Sequence, residues 1–571
     1  NQVNMPAQIV PVVGTIHKET KYPVRYAYNY CTHSYTMSFW NEPEWQNELD
    51  WQALNGVNVV LDITGQEEVW REFLMSVGYT HQEAKDFLAG PGYYAWAYMA
   101  NLTGFGGPIH DSFLTERVEL ARKNQRFMRV LGMEPVLQAF SGMVPVDLSA
   151  HDPSAAIITQ GNWCSFRRPD MLKTDTATYD EYARKFYAAQ KRVFGDVKYY
   201  ATDPFHEGGN TGGMSPTTVA SALLDSLLEF DSDAVWIIQS WQGNPSTELL
   251  TGLRTPTDRR SHALVLDLWA EHSPHNNGYG ELLEGNSRKE FSNTPWVWCM
   301  LNNFGGRMGL HGHLDALQKN IPADANASKH MAGIGMSPEG AQENPVLYDF
   351  LFETIWVDNA SENLPVIDLN EWLANYVRRR YGAESDSASQ AMRMMADTVY
   401  MSSMNMAGQG SPESVINGRP TLAGGKASTW GNGSIGYSAI KLENALKLLL
   451  TDYDTLSASD AYLYDVADVL KQQLSNYAIT AHQTMAAAYR SGDLDTFTEA
   501  SDNFLALIDE VEKVLATRSE FTFGKWTGGA EYMARNADDF TKRLYLRNAK
   551  ALVTTWGSIQ QCNGGGLKDY S

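Results

Sequence analysis

The chain has 571 residues, 43% of them hydrophobic and 20% charged, which is typical of globular proteins and long enough for two to four domains. Its 45 Lys and Arg against 67 Asp and Glu give a net charge of −22. This charge disfavours nucleic acid and anionic membranes as partners because both require basic patches, and no apolar run is long enough to predict a membrane span.

The first 350 residues predict a parallel sheet. Residues 1–24 are interpreted as a remnant or linker of a preceding β domain. After them, short apolar runs alternate with helical patterns such as Glu116–Leu131 and Ser215–Phe230. The predicted strands are Arg25–Tyr30, Val57–Ile63, Pro135–Phe140, Val197–Phe205, Ala234–Ser240, Ala263–Leu268, Pro295–Leu301 and Met331–Met336. Continuously apolar runs are typical of buried parallel strands, and eight of them predict a (β/α)8-type barrel. A doubly wound open sheet remains the alternative, although no G-x-G-x-x-G follows the first strand.

From about residue 360 onwards, strand patterns disappear. Apolar residues recur at helical spacing along Tyr462–Tyr477, Phe504–Leu515 and Ile440–Leu450. This half predicts a helical bundle packed on the barrel. Between its helices, Gly408–Trp430 is rich in Gly, Ser, Pro and Asn and predicts a long loop of the kind that often borders a site.

Polar residues at the ends of barrel strands are the first candidates for chemistry, because barrel sites lie at that face. The fourth predicted strand ends in Asp203, His206 and Glu207, and the eighth is followed by Glu339 in a turn framed by Gly and Pro. Two carboxyl groups at one barrel mouth fit glycoside cleavage, in which one donates a proton and the other attacks the anomeric carbon. By position alone, a glutamate after a strand is more often a helix-cap partner or a solvated loop residue than a catalytic group.

Other catalytic motifs are weak or missing. The His206-Glu207 pair is not H-E-x-x-H because Asn210 stands at the second histidine position, which disfavours zinc. His311 and His313 form another candidate pair but are more typical of a polar loop. There is no G-x-S-x-G and no P-loop. We therefore predict no metal and no cofactor.

Several sequence blocks give a more specific indication. RYAYNYCTHSYT, DWQALNGVNVVLDITGQEEVW, GPGYYAWAYMANLTGFGGP, WCMLNNFGG and GIGMSPEGAQENPVLYD occur in this order, and LVTTWGSIQQC stands near the end. Together they resemble the α-N-acetylglucosaminidases of glycoside hydrolase family 89. The resemblance implies a catalytic (β/α)8-type domain over residues 25–358 and an α-helical domain over 359–571 that completes the active site.

The resemblance also implies roles for individual residues. Glu207 matches the general acid/base and Glu339 the nucleophile. His206 is implied beside the acid/base, at a position where the family pattern also has asparagine. The implied pocket wall around the terminal sugar consists of Asn29, Cys31, Trp96, Trp163, Trp241, Trp298, Trp556 and Tyr570. The last two come from the helical domain.

The implied reaction is removal of terminal, non-reducing α-linked N-acetylglucosamine (GlcNAc) by a retaining double displacement. The implied substrates are heparan sulfate or mucin-type glycans. The sequence leaves open another exo-α-glycosidase, of α-glucuronidase or α-glucosidase type, and a non-catalytic carbohydrate-binding protein. The wording of the motifs and the four cysteines favour a secreted or periplasmic bacterial protein over a lysosomal one.

Overall fold

Eight parallel strands close into a barrel. The computed structural model describes residues 14–274, 290–357, 363–401, 410–418, 420–424, 431 and 433–557. Strands β1 to β8 span Val24–Ala27, Val59–Leu61, Glu134–Gln138, Tyr199–Ala201, Val235–Ser240, Ala263–Asp267, Trp296–Met300 and Met331–Met336. They are hydrogen-bonded in chain order and β8 pairs with β1. The predicted barrel is therefore confirmed, and the doubly wound alternative is wrong.

Helices surround the barrel as the alternating pattern predicts. The longer ones span Glu42–Leu54, Gln66–Ser76, Asp111–Val130, Ala177–Phe194, Pro216–Phe230, Leu314–Ala327 and Pro345–Glu353. Shorter ones span Tyr30–Tyr35, His81–Phe87, Tyr94–Tyr98, Leu148–His151 and Thr247–Gly252. Polar caps begin several of them: the Thr176 hydroxyl accepts from the Tyr179 amide, which satisfies a backbone donor that the helix leaves unpaired.

The segment between β3 and the helix Ala177–Phe194 contains strands that the sequence analysis did not predict. They span Met143–Val144, Ile157–Ile158, Asn162–Trp163, Phe166–Arg167 and Asp170–Leu172. Asn162–Trp163 and Phe166–Arg167 pair as a small antiparallel hairpin, called here the Trp163 hairpin. Pieces of two or three residues are too short to show an alternating hydrophobic pattern, which explains why they were missed.

The C-terminal half is helical, as predicted. Its helices span Leu369–Tyr381, Asp386–Ala396, Ala439–Thr451, Tyr453–Leu456, Asp460–Ser491, Leu494–Leu515, Phe523–Met533 and Asp539–Leu552. The apolar core is continuous from the barrel into this half, since Leu442, Tyr462 and Tyr545 belong to the same buried cluster as the strands. Within the described ranges, no helix is both long and apolar enough to cross a membrane.

Two predicted segments fall partly outside the described residues. The boundary at residues 358 and 359 lies in such a gap, as does most of the predicted N-terminal remnant. Just before β1, Glu19 forms an antiparallel bridge with Val357, with backbone N–O distances of 2.9 Å in both directions. The segment that enters the barrel is therefore hydrogen-bonded to the segment that leaves it.

Barrel closure between β1 and β8 depends on a glycine, which gives a test of the register. A Cβ added at Gly333 would lie 1.8 Å from the carbonyl oxygen of Val24. We expect Gly333→Ala to lower the free energy of unfolding by roughly 3 kcal/mol or more, measured by urea or thermal unfolding. Gly528→Ala is the control, because the added methyl has no described atom within 4 Å apart from its chain neighbours and the backbone of its own helix, and alanine favours that helix. A Gly333→Ala protein as stable as the parent would contradict the closure described here.

Candidate active site

Glu207 lies at the barrel mouth and its carboxylate is held by three N–H donors. The Trp163 indole donates to Oε2 at 2.6 Å and the Asn101 amide to the same oxygen at 3.1 Å. The Trp241 indole donates to Oε1 at 3.1 Å. The donors come from the segment after β2, the Trp163 hairpin and the end of β5. The side chain remains 21% exposed, so a ligand in the mouth can reach the carboxylate.

Glu339, just after β8, is held by the loop that follows β7. The Gly305 backbone N–H donates to its Oε2 at 2.5 Å. The Asn303 side chain fixes the two loops together, since it donates to the Gly340 carbonyl at 2.8 Å and accepts the Gly340 N–H at 2.9 Å. A backbone N–H therefore helps to orient the carboxylate.

The segment after β1 supports the Glu339 loop from the other side. Asn29 caps the helix Tyr30–Tyr35 through the Cys31 amide at 2.6 Å, and its side-chain amide donates to the Ser337 carbonyl at 3.2 Å. The Thr32 hydroxyl donates to the Pro338 carbonyl. Asn29 and Cys31 are buried beside this loop, so the structure brings both residues to the Glu339 side of the mouth.

Aromatic rings from both halves form a wall next to Glu207. Trp556, from the helical half, lies 4.6 Å from Trp96 and 6.1 Å from Trp163 between ring centroids. Its indole donates to the Tyr35 hydroxyl at 3.0 Å, and its carbonyl accepts from the Tyr93 hydroxyl at 2.6 Å. Because Trp163 donates to Glu207, the packing of Trp556 against it places a ring from the helical half in the wall beside Glu207.

Trp298 is a correction to the sequence analysis. It lies inside β7 and its indole donates at 3.1 Å to Asp324 on the surrounding helix Leu314–Ala327. The side chain is completely buried between strand and helix and does not line the mouth. Tyr570 lies outside the described residues.

His206 is buried next to the acid/base candidate. Its Nε2 is 3.9 Å from Glu207 Oε2. Burial lowers the pKa of His206, while the Glu207 charge acts in the opposite direction. The other histidine candidates, His311 and His313, lie with ring centroids 5.1 Å apart in the loop after β7. In the described part of the chain, no group of three His, Cys, Asp or Glu side chains is arranged to hold a metal ion.

Sequence reasoning missed two residues that contact the Glu207 region. Asn101 is fully buried and donates to the carboxylate. Arg168 is 3% exposed, and its guanidinium donates to the carbonyls of His206 and Glu207 at 3.0 and 2.7 Å. Neither residue follows a strand that the sequence predicts, so neither carried the positional signal that identified Glu207.

The helical half also holds the loop that supports Glu339. Glu413 and Arg307 form a buried ion pair at 2.8 Å, with side-chain exposures of 0% and 1%. Lys471 donates to the Met308 carbonyl at 2.9 Å, and the Leu310 N–H donates to the Gln472 side chain at 3.0 Å. The predicted loop over residues 408–430 thus contributes Glu413 to the support of the mouth, through its described part.

Three further carboxyl groups are buried at the strand ends. Burial raises the pKa values of Asp203, Glu271 and Glu343 to about 8 in each case. Among the described residues, Asp203 accepts only the Gln239 backbone N–H, at 2.7 Å, and its second oxygen is buried without a hydrogen-bond partner. That environment suits a neutral carboxylic acid at neutral pH.

Two family models match the chain. One, described as "Alpha-N-acetylglucosaminidase (NAGLU) tim-barrel domain", matches residues 25–358. The other, described as the C-terminal domain of the same family, matches residues 372–571. The chain belongs to the α-N-acetylglucosaminidase family, glycoside hydrolase family 89. The family fold is the one described above, a barrel followed by a helical domain.

Members of glycoside hydrolase family 89 resemble the chain over its whole length. It is 30% identical to the human α-N-acetylglucosaminidase, covering 100% of this chain and 75% of the human protein. It is 44% identical to a family 89 glycoside hydrolase of Clostridium perfringens in complex with 2-acetamido-1,2-dideoxynojirimycin, with a TM-score of 0.93. A second structure from that organism, with two glutamates replaced by glutamine, holds its substrate GlcNAc-α-1,4-galactose, and matches with a TM-score of 0.92 and 44% identity. The chain is covered completely in both comparisons but spans only 63% and 62% of those two chains.

The buried Asp203 predicts how stability depends on pH. An aspartic acid in an unfolded chain has a pKa of about 3.9, so a folded value of about 8 means that the folded state retains the proton more strongly. The stabilisation is complete below about pH 4 and is lost as the pH rises towards 8. Glu271 and Glu343 act in the same direction.

We expect Asp203→Asn to weaken this dependence, because the amide matches the neutral acid in shape and its oxygen still accepts the Gln239 N–H. The midpoint temperature of unfolding is measured for parent and variant from pH 5 to pH 8.5. The variant should lose less stability over this range than the parent. Parallel curves for the two proteins would show that Asp203 is ionised in the folded state.

Proposed function

We propose that this chain is an exo-acting, retaining glycoside hydrolase that removes terminal α-linked GlcNAc. One observation carries the proposal: Glu207 and Glu339, the carboxylates that match the family's acid/base and nucleophile, both follow strands at the same barrel mouth and are held by N–H donors. The family membership and the Clostridium perfringens complex with GlcNAc-α-1,4-galactose support the same reaction.

The chemistry of an α-linked GlcNAc requires an enzymic nucleophile. The axial leaving group is on the same side as the 2-acetamido group, so the acetamide oxygen cannot approach the opposite side of the anomeric carbon. Glu339 attacks from that side and forms a β-glycosyl ester while the leaving oxygen takes a proton from Glu207. In the second step, Glu207 accepts a proton from water as the water displaces Glu339. The released sugar has the α configuration.

The hydrogen bonds to Glu207 suit its two protonation states. An ionised carboxylate accepts all three N–H donors, as it must when it acts as a base in the second step. In the part of the chain that the structure describes, Oε1 accepts from Trp241 alone, whereas Oε2 accepts from Trp163 and Asn101. We assign the transferred proton to Oε1 because this oxygen has the lower number of donors.

The natural leaving group and the location of the protein are also proposed. Heparan sulfate and mucin-type glycans with terminal α-GlcNAc both fit an exo-acting site, and a secreted or periplasmic location gives access to either.

Nitrophenyl α-glycosides distinguish the proposed activity from its alternatives. We expect the protein to hydrolyse the α-GlcNAc compound faster than the α-glucoside and the α-glucuronide. A carbohydrate-binding protein would bind GlcNAc without turnover of any of them.

The two glutamates should respond differently to replacement. Glu339→Gln should reduce turnover of every α-GlcNAc substrate by roughly 10⁴-fold or more, because no nucleophile remains. Glu207→Gln should reduce cleavage of GlcNAc-α-1,4-galactose by about 10²- to 10⁴-fold but spare formation of the glycosyl ester from α-GlcNAc fluoride, whose leaving group needs little protonation.

These measurements require kcat/KM on both substrates and the anomeric configuration of the first product by NMR. Glu443→Gln is the control, because Glu443 pairs with Lys447 on a helix of the helical half and should behave as the parent. An initial β product, or full activity of Glu339→Gln, would contradict the retaining mechanism.

A further inference from the structure

The backbone at Glu207 adopts a conformation that must be held by its surroundings. Glu207 has a φ of +47° and Phe205 a φ of +63°, in the left-handed region that residues other than glycine rarely occupy. Such a conformation persists only where neighbouring groups enforce it. The three N–H donors act on the Glu207 carboxylate, so the backbone requires a separate support.

Arg168 provides this support. Its guanidinium donates to the carbonyls of His206 at 3.0 Å and Glu207 at 2.7 Å, which belong to the two peptide groups that flank the Glu207 Cα. It also donates at 3.3 Å to the carbonyl of Ala100. The guanidinium is planar with five donors in fixed directions, so it can hold three carbonyls in one arrangement, which a lysine ammonium reproduces poorly.

The same arginine is linked to two of the three donors on the carboxylate. Ala100 immediately precedes Asn101, whose amide donates to Glu207 Oε2. Arg168 directly follows the Trp163 hairpin, and its own N–H donates to the Gly161 carbonyl at 3.0 Å where that hairpin begins. The buried Arg168 side chain therefore fixes the glutamate backbone and the segment that presents Asn101, while the backbone of the same residue joins the hairpin that presents Trp163.

We propose that Arg168 is a positioning residue for the acid/base glutamate: through the carbonyls of Ala100, His206 and Glu207 it sets the orientation in which Glu207 delivers and recovers the proton. This role rests on the proposed function of Glu207. In this role, Arg168 acts through Glu207 and through the segment that presents Asn101.

A defect in proton delivery has a kinetic signature that general destabilisation lacks. Cleavage of a galactose leaving group needs a proton from the acid, whereas departure of fluoride needs little assistance. We expect Arg168→Gln to lower kcat/KM for GlcNAc-α-1,4-galactose on the order of 10²-fold, and that for α-GlcNAc fluoride by less than about threefold. Arg168→Lys keeps the charge, so its kcat/KM should also fall more for GlcNAc-α-1,4-galactose than for α-GlcNAc fluoride, but by a smaller factor.

Arg260→Gln is the matched control. The Arg260 guanidinium also donates to two backbone carbonyls, those of Ser292 and Asn293 at 2.9 and 3.2 Å, but at the opposite end of the barrel, before β6 and β7. The kcat/KM of Arg260→Gln should equal that of the parent on both substrates. The midpoint temperature of unfolding of each variant is measured alongside, to report any loss of folded protein.

The outcomes separate the two proposals. Equal losses on both substrates, or no loss on either, would overturn the positioning role of Arg168 while leaving the proposed function intact. A parent protein that cleaves neither substrate would overturn the proposed function and, with it, the role of Arg168. If Arg168→Gln fails to fold, the ratio of the two losses in Arg168→Lys decides in the same way.

Discussion

Pairing of β1 with β8 closes the barrel, and the arrangement of the site follows from that closure. Val24–Ala27 lies in register with Gly333–Met336, so the segments that leave these two strands emerge side by side. The Asn29 amide can then reach the Ser337 carbonyl, close to Glu339. Because all eight strands are parallel, the segments after β4, β5 and β7 emerge at the same face and bring Glu207, its donor Trp241 and the Gly305 N–H to one mouth.

The helical half is part of this mouth. Trp556 fills the aromatic wall beside Trp163, and Glu413 forms a buried ion pair with Arg307 in the loop that orients Glu339. Loss of one member of such a pair would leave a buried charge without compensation, which is far more costly than loss of an exposed pair. Both candidate carboxylates are therefore supported from outside the barrel as well as from within it, which ties the integrity of the proposed site to correct docking of the two halves.

The sequence predicts those parts of the fold and site that depend on local pattern. Continuous apolar runs predicted all eight strands, because strands buried in a parallel sheet need apolar side chains on both faces. Helical spacing predicted the long C-terminal helices, because a helix in a bundle buries one apolar face. Glu207 and Glu339 could be selected as candidates for the same reason, because the ends of the predicted strands mark the barrel mouth. Trp298 was misplaced because a motif match locates a residue along the chain but does not show which side of the strand its ring occupies.

What the sequence determined by itself is the architecture, the two carboxylates and the family resemblance that assigns their chemistry. Only the tertiary structure showed that Asn101, Trp163 and Trp241 meet on one carboxylate, and that Arg168 holds the backbone beneath it. These contacts join segments that are distant in the chain and lie in irregular loops or very short strands. No period or spacing encodes such contacts, because they form only once barrel closure has brought the strand ends together.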